Sequence, residues 1–407
     1  MKRFDIFVGG HLAVDMLPGL ENYAPGTFLQ KLKPGKLLYV NQASFSTGGP
    51  VSNTGLALHG LGLSVCILGK IGLDDFGRVI DRIFRSYSED LVENSIDDAR
   101  AQSMYKLLIS NTEGTSYSIC LSPPQTDRMF LHYPGANDSF SFDDIDFELV
   151  AESKIFHFGY PPLMRKMYID GGSTLLRIYS EAKSCGVITS LDMALPDPNS
   201  PAGRADWKEI LKKVLPYVDI FAPSFEEILY MLDREIYLEM LSGSENGDLI
   251  SQITEDLLHN ISNKLLDFGA KIVLIKLGDQ GIYLRTSNPS SLEDLELDGK
   301  RVFSEWAGRE IVSPCFEAEF KGALGAGDAT LAGFLAAIVK EKTIHESIQL
   351  ALGVGACCVE EMDPISGIPH WDDVCKRINL GWKKHKGFTL GPDWHFIDEF
   401  GQWMRID

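Results

Sequence analysis

Gly325-Ala326-Gly327-Asp328 leads directly into Ala329-Thr330-Leu331-Ala332-Gly333-Phe334-Leu335-Ala336-Ala337-Ile338-Val339, a stretch with the length and apolar character of a buried helix. Small residues ahead of such a helix let backbone N–H groups crowd an anion, and the helix N-terminus adds about half a positive charge aimed at it. A carboxylate at that lip repels a phosphate. Asp328 is therefore either an N-cap, a role in which Asp is favoured, or a working group, and the turn alone leaves both readings open.

Outward from this helix, short apolar runs alternate with helical patterns. Ile6-Phe7-Val8, Val65-Cys66-Ile67-Leu68, Ile155-Phe156-His157-Phe158, Ile188-Thr189-Ser190-Leu191, Ile220-Phe221-Ala222 and Ile272-Val273-Leu274-Ile275 each have the length of a buried strand. Amphipathic stretches lie between most of them, such as Ile253, Leu257, Leu258, Ile261, Leu265 and Leu266 at helical spacing. The alternation predicts an α/β fold whose mostly parallel sheet is covered on both faces, with ligands at the carboxyl ends of its strands. Two segments depart from it, 13–48 with Lys36-Leu37-Leu38-Tyr39-Val40, and 101–135. In the second, Tyr105 to Ile109 and Ser116 to Cys120 flank Asn111-Thr112-Glu113-Gly114 and predict an antiparallel hairpin. Together the two segments are expected to form a small separate sheet beside the ligand site, and an exposed edge of it could pair two subunits. Polar, small-residue-rich stretches near 233–250 and 285–311 read as surface insertions.

The formal charge of −19 over 407 residues excludes a dedicated nucleic-acid or anionic-membrane surface, which needs a basic patch. Lys212-Lys213 and Lys383-Lys384-His385-Lys386 are too short for one. Seven cysteines without a C-x-x-C pair point to reduced thiols in the cytoplasm rather than to disulfides or a zinc site. No run reaches the length of a membrane span. Asp5, His11 and Asp15 interrupt the apolar N-terminus, which reads as a first strand.

Further blocks repeat the chemistry of the opening turn. Gly48-Gly49-Pro50-Val51-Ser52-Asn53 enters a helical stretch, and the glycines allow close approach of backbone to ligand while Asn53 offers a donor and an acceptor. Asp15 lies just past the first strand in Gly10-His11-Leu12-Ala13-Val14-Asp15, where a carboxylate can accept two hydrogen bonds from a polyol. His11 reads as a packed or solvent-facing side chain. Gly353-Val354-Gly355-Ala356-Cys357-Cys358 lies inside a helical pattern and reads as close helix packing, not as a dinucleotide fingerprint.

Taken in order, Gly10 to Asp15, Gly48-Gly49 with Asn53, Gly69 to Gly77, Arg128 to Gly135-Ala136-Asn137, Glu227 and Gly325 to Asp328 resemble the signature blocks of the ribokinase-like (PfkB) carbohydrate kinase family, over nearly the whole chain. The resemblance implies a three-layer α/β/α ribokinase-like fold, a single domain over 1–407 in which 13–48 and 101–135 form a β-sheet lid. It further implies transfer of the γ-phosphoryl group of ATP to a sugar hydroxyl with Mg2+ as the metal. Carried onto this chain, Asp328 is the base, and the backbone amides of Gly325, Ala326, Gly327 and Asp328 form the anion hole. Asp15, Gly48, Gly49 and Asn53 grip the sugar, Glu227 helps hold magnesium through water, and Ser224, Lys276, Gly278 and Gly281 border the nucleotide. Related readings are a nucleoside kinase of the same family and a sugar- or nucleotide-binding protein without catalysis. A nicotinamide-dependent oxidoreductase lacks its strand-linked G-x-G-x-x-G.

The chain departs from the family at three places, one of them Lys276, which stands where members commonly have a Thr near the nucleotide and could meet a phosphate. Ser224 stands where the family's Asn-x-x-Glu motif has Asn, and a hydroxyl replaces only one of the amide's hydrogen bonds. Phe320-Lys321-Gly322-Ala323-Leu324 replaces the usual Asp-Thr lead into the final motif, which removes the Asp that often serves a monovalent cation. Lys321 there is either a substitute fixed charge or a solvated lysine.

Overall fold

The computed structural model describes residues 2–87, 91–93, 103–124, 129–244, 247–293, 295–387 and 390–405. Arg128, part of one signature block, lies outside them. Sixteen strands are present among the described residues, in two sheets.

The large sheet is built on strands whose side chains are buried on both faces. Its centre comprises β1 (Phe4–Gly10), β4 (Val65–Gly72), β9 (Ser153–Gly159), β10 (Ile188–Asp192), β11 (Ile220–Phe221) and β12 (Ile272–Lys276), all parallel in the order β12-β11-β10-β9-β1-β4. Successive residues alternate between two apolar layers. Ile6, Val8, Ile67, Ile155, Ile188, Ile220 and Ile272 face one layer, and Phe7, Leu68, Phe156, Phe158, Leu191, Phe221 and Val273 face the other. Burial on both faces is the reason these strands read as unbroken apolar runs in the sequence. Beyond β12 the sheet continues antiparallel through β13 (Ile282–Thr286), β14 (Glu310–Ser313), β16 (Gln402–Arg405) and β15 (Trp394–Ile397). Beyond β4 it continues through β6 (Ser103–Ser110) and β5 (Leu91–Glu93).

The small sheet has the order β3-β2-β7-β8, with β2 spanning Ala13–Gly19, β3 Asn41–Gly48, β7 Tyr117–Leu121 and β8 Met129–Tyr133. Its composition corrects two expectations. Lys36 to Val40 is not a strand, and pairing begins only at Asn41. The hairpin across 105–120 does not form, because Ser103–Ser110 pairs with β4 in the large sheet. Tyr105 is buried there against Phe84, with its hydroxyl on Asp81. The stretch 111–116 is instead the crossing between sheets. Asp74 fixes it by accepting from Thr115 N (2.7 Å), Thr115 Oγ1 (2.6 Å) and Gly77 N (2.9 Å). A Cβ on Gly72 would lie 2.5 Å from the Glu113 carbonyl. The Gly69 to Gly77 block therefore serves to anchor the small sheet.

The opening stretch is a helix over Ala326–Val339, buried along nearly its whole length. It packs against the Ile344–Cys358 helix so closely that a Cβ on Gly333 would lie 2.8 Å from the Leu350 carbonyl, and one on Gly355 would lie 2.2 Å from Thr330 Oγ1. Glycines there permit backbone contact, as expected, and the contact fixes where the helix N-terminus points. No helix among the described residues is long and apolar enough to cross a membrane.

Candidate active site

The N-terminus of the 326–339 helix bears on the capping reading of Asp328. Gly325 is the N-cap, at φ 72°, and no side chain caps the helix. Asp328, in the first turn and 1% exposed, turns away from its own backbone. Its Oδ2 accepts from Asn53 Nδ2 (2.9 Å) and from Tyr160 Oη (3.0 Å), and Thr54 Oγ1 stands 3.4 Å from Oδ1. Capping is thus not what the carboxylate does. Burial, and after it the charge of Asp192, push Asp328 up to about 6, against the opposing pull of Asn53, Lys276 and Tyr160. A carboxylate so placed is a stronger base than a solvated one.

The first-turn amides of an α-helix have no intrahelical acceptor, so those of Gly327 and Asp328 are available to an anion. That of Ala326 already reaches the Ala323 carbonyl at 3.3 Å. Lys276, at the end of β12, brings its ammonium to the same place, since a Cβ on Gly327 would lie 3.5 Å from Lys276 Nζ. The ammonium is clamped by both oxygens of Asp192, at 2.7 and 2.8 Å. Asp192 is fully buried at the end of β10, and the lysine side chain is 11% exposed. Burial alone would lower Lys276, but the charges of Asp192 and Glu227 overcome it and hold the lysine above its ordinary range. An ammonium and a helix N-terminus, both positive, converge on one spot. Both features attract negative charge.

Glu227 and Ser224 form a capping box at the start of the Phe225–Leu232 helix, with Ser224 N donating to Glu227 Oε2 at 2.7 Å. Ser224 also bridges to Lys276, which places the Glu227 carboxylate in the same electrostatic group. Gly281 (φ 106°) permits the turn between β12 and β13, where a Cβ would lie 2.0 Å from the Ser313 carbonyl. Gly278 (φ 58°) stands in the same turn. Lys321 is not part of the site. It pairs with Glu361 at the surface (3.2 Å, both about half exposed), which supports the solvated reading.

The small sheet supplies the other wall. Asp15 on β2 is opposite Ser46 on β3 and Ser118 on β7, and Ser118 is opposite His132 on β8. These four positions form one polar row across all four strands. Ser118 Oγ lies 3.1 Å from His132 Nδ1. Burial raises Asp15 to about 6, opposed by a hydrogen bond from Ser118 and assisted by the charge of Asp328. Gly48 is required here, because a Cβ would fall 2.3 Å from Asp15 Oδ2. Gly49, at φ 87°, starts the Pro50–Gly60 helix and carries Asn53 toward Asp328. Asn137 holds the turn between β1 and β2 through Leu12, with Nδ2 donating to its carbonyl (2.9 Å) and Oδ1 accepting from its amide (3.2 Å).

The structure therefore brings Asp328, Gly325, Ala326, Gly327, Asn53, Gly48, Gly49, Asp15, Lys276, Ser224 and Glu227 to one place at the C-terminal edge of the parallel strands. Sequence reasoning missed Tyr160, Asp192, Ser118 and His132. Tyr160 and Asp192 directly follow or close apolar runs, the position where α/β folds place ligands, so that signal was present. Tyr160 also adopts a left-handed conformation (φ 62°) without being glycine, a strain that clusters at functional sites.

Residues 22–371 match the family described as pfkB family carbohydrate kinase. Among curated relatives, fructokinase-1 of Zea mays is 25% identical over 340 residues, covering 81% of this chain and 88% of the maize protein. Among solved structures, a fructokinase with bound ATP from Xylella fastidiosa superposes with a TM-score of 0.65 at 19% identity, covering 93% of this chain and 99% of that one. The Arabidopsis thaliana ribokinase complexed with ribose and ATP gives 0.60 at 19% identity, covering 92% and 98%. These structural likenesses bear out the ribokinase-like α/β fold.

Proposed function

The chain belongs to the pfkB family of carbohydrate kinases, phosphotransferases that act on sugar hydroxyls, and from that premise we propose that it transfers the γ-phosphoryl group of ATP to a hydroxyl of a small carbohydrate with Asp328 as base. The observation that carries this reading is the orientation of Asp328. It sits in the first turn of a helix, where backbone amides lack intrahelical acceptors, yet its carboxylate is turned to Asn53 and Tyr160.

In the proposed reaction, the acceptor hydroxyl lies between Asp15 and Asp328. Its proton passes to Asp328 as its oxygen bonds to phosphorus, and the bond from phosphorus to the β-phosphate oxygen breaks, with the electron pair leaving on ADP. Phosphoryl transfer is catalysed mainly by positioning and electrostatics. The Gly327 and Asp328 amides and the Lys276 ammonium supply that stabilisation. Ala326, with its amide engaged, and Gly325 shape the turn. Asp15, Gly48, Gly49 and Asn53 hold the sugar, and Ser224, Gly278 and Gly281 border the nucleotide.

Three carboxylates, Asp192, Glu227 and Asp328, act on the single ammonium of Lys276, an excess of negative charge that a divalent cation offsets. Asp192 is taken up by Lys276, which leaves Glu227, whose Oε2 accepts from the Ser224 amide, as the residue that would hold Mg2+ through water beside the phosphates. Bound there, the metal neutralises phosphate charge. The small sheet acts as a lid over the sugar. Its outward face carries the row Phe45, Met16, Ile119 and Leu131, with Phe45 and Leu131 exposed, through which two copies would pair. A cytoplasmic setting accords with ATP as substrate and with seven cysteines that are thiols.

The test is ADP release by the purified protein with ATP, magnesium and a panel of sugars and nucleosides. Turnover with a sugar supports the reading, turnover confined to nucleosides moves it to a nucleoside kinase, and none with any acceptor removes it.

A further inference from the structure

His11 is 3% exposed, and neither ring nitrogen has a hydrogen-bond partner. Leaving a buried polar group unpaired costs about 1–3 kcal/mol, so such a group in a binding site marks a place that a ligand completes. The ring stands in the space between the two walls. Its centroid is 5.2 Å from that of His132, at the end of the polar row, and 6.3 Å from that of Tyr160, whose hydroxyl is on Asp328. Gly49 closes a third side, since a Cβ there would lie 2.6 Å from His11 Nδ1. Asn53 Oδ1, also buried, is unpartnered as well, although its Nδ2 is on Asp328.

We propose that His11, with His132 and Asp15, reads an uncharged polyol, so that the acceptor carries no phosphate or carboxylate group. This rests on the carbohydrate-kinase reading and narrows it. A neutral imidazole has one donor and one acceptor nitrogen, and a hydroxyl can satisfy either. Burial, with His132 beside it, holds His11 far below the usual histidine range, so it stays neutral and offers no countercharge. Desolvation of its ring lowers His132 too. Among the described residues no lysine or arginine pairs with His11, Asp15, Ser118 or His132. Lys276 is clamped by Asp192 on the phosphoryl side. Among the described residues, an anionic substituent beside Asp15 would meet a carboxylate and two neutral rings.

The experiment compares D-fructose and D-ribose with D-fructose 6-phosphate and D-gluconate as acceptors, for the wild type and for His11→Phe. Turnover with a neutral sugar and not with the anionic compounds is expected. His11→Phe should raise the sugar KM about tenfold, the loss of one hydrogen bond to a group left unpaired, and leave the KM for ATP unchanged. Its melting temperature should not fall, because the phenyl ring removes two unpaired nitrogens. His132→Phe, on the open lip of the sheet, gives the same readout where His11→Phe yields no soluble protein. Turnover confined to the anionic compounds, or an unchanged sugar KM in the variant, overturns this inference while leaving the kinase reading in place. A flat response to every acceptor overturns both.

Discussion

The two ends of the site differ in how their buried side chains are matched. On the phosphoryl side Asp328 accepts from Asn53 and Tyr160, Lys276 is held by both oxygens of Asp192, and Glu227 and Ser224 cap each other. On the sugar side both nitrogens of His11 and the Oδ1 of Asn53 are buried without partners. A transferred phosphoryl group presents the same charge to any acceptor, so its surroundings can be built in advance. The acceptor's hydroxyls must be recognised, and the groups that recognise them stay unmatched until it arrives. If this contrast is right, substitutions on the phosphoryl side reduce turnover, and those on the sugar side change acceptor binding.

The largest effect is expected from Asp328→Asn. It keeps the shape and can retain the contact with Asn53, but it cannot take the proton. Loss of a general base costs roughly 10²–10⁴-fold in rate, so kcat should fall to that extent with ATP affinity nearly unchanged. A kcat within tenfold of wild type, measured by ADP release, would show that the proton leaves by another route.

Lys276→Met should come next. It leaves Asp192 buried without its partner and removes the cation beside Gly327, which predicts a loss of about 10²-fold or more in kcat together with a clear drop in melting temperature. The two consequences can be separated. The pair Lys276→Met with Asp192→Leu removes the unpaired charge and should recover stability without recovering turnover. Recovery of both would reduce Lys276 to a structural role and remove it from the phosphoryl side.

The pH dependence tests the contrast more gently. Asp328 must be ionised to act, and it is raised to about 6, so kcat/KM should decline below about pH 6. Stability has the opposite sign. Asp15 and Asp328 both bind protons more tightly folded than unfolded, so their contribution is full below the ordinary carboxylate range and is lost as pH rises through about 6. The melting temperature of Asp15→Asn relative to wild type should therefore improve between pH 5 and pH 8, and a difference that does not change with pH would mean that Asp15 is not raised.

On both sides the residues within local motifs were legible in the sequence, Asp15, Gly48, Gly49 and Asn53 on one and the 325–328 turn and Lys276 on the other, while their long-range partners were not, for a physical reason. The turn at 325–328, the helix after it and the strand ending in Lys276 are local patterns, and strands buried on both faces announce themselves as apolar runs. The polar row Ser46, Asp15, Ser118 and His132 exists only because β2 pairs with a strand about a hundred residues later, and no local period records that partnership. The hairpin expected at 105–120 failed on the same point. Residues 103–110 have a strand's composition, but their partner is β4. Asp192 was missed because its role depends on Lys276, 84 residues away.

The smallest effect is expected where the phosphoryl side departs from its relatives' pattern. Ser224 uses its hydroxyl and its amide in the capping box with Glu227, so Ser224→Ala should cost about 1 kcal/mol of stability and little turnover. Ser224→Asn is more telling. Asn caps as well as Ser and adds an amide donor beside Lys276 and Glu227. If the phosphoryl side is already matched, that donor has little to bind, and the variant should change kcat and the magnesium requirement by no more than about threefold, equivalent to roughly 0.7 kcal/mol. A tenfold gain in either would show that a side-chain partner was missing there after all, and that the side chains of the phosphoryl side, like those of the sugar side, are matched only by what they bind.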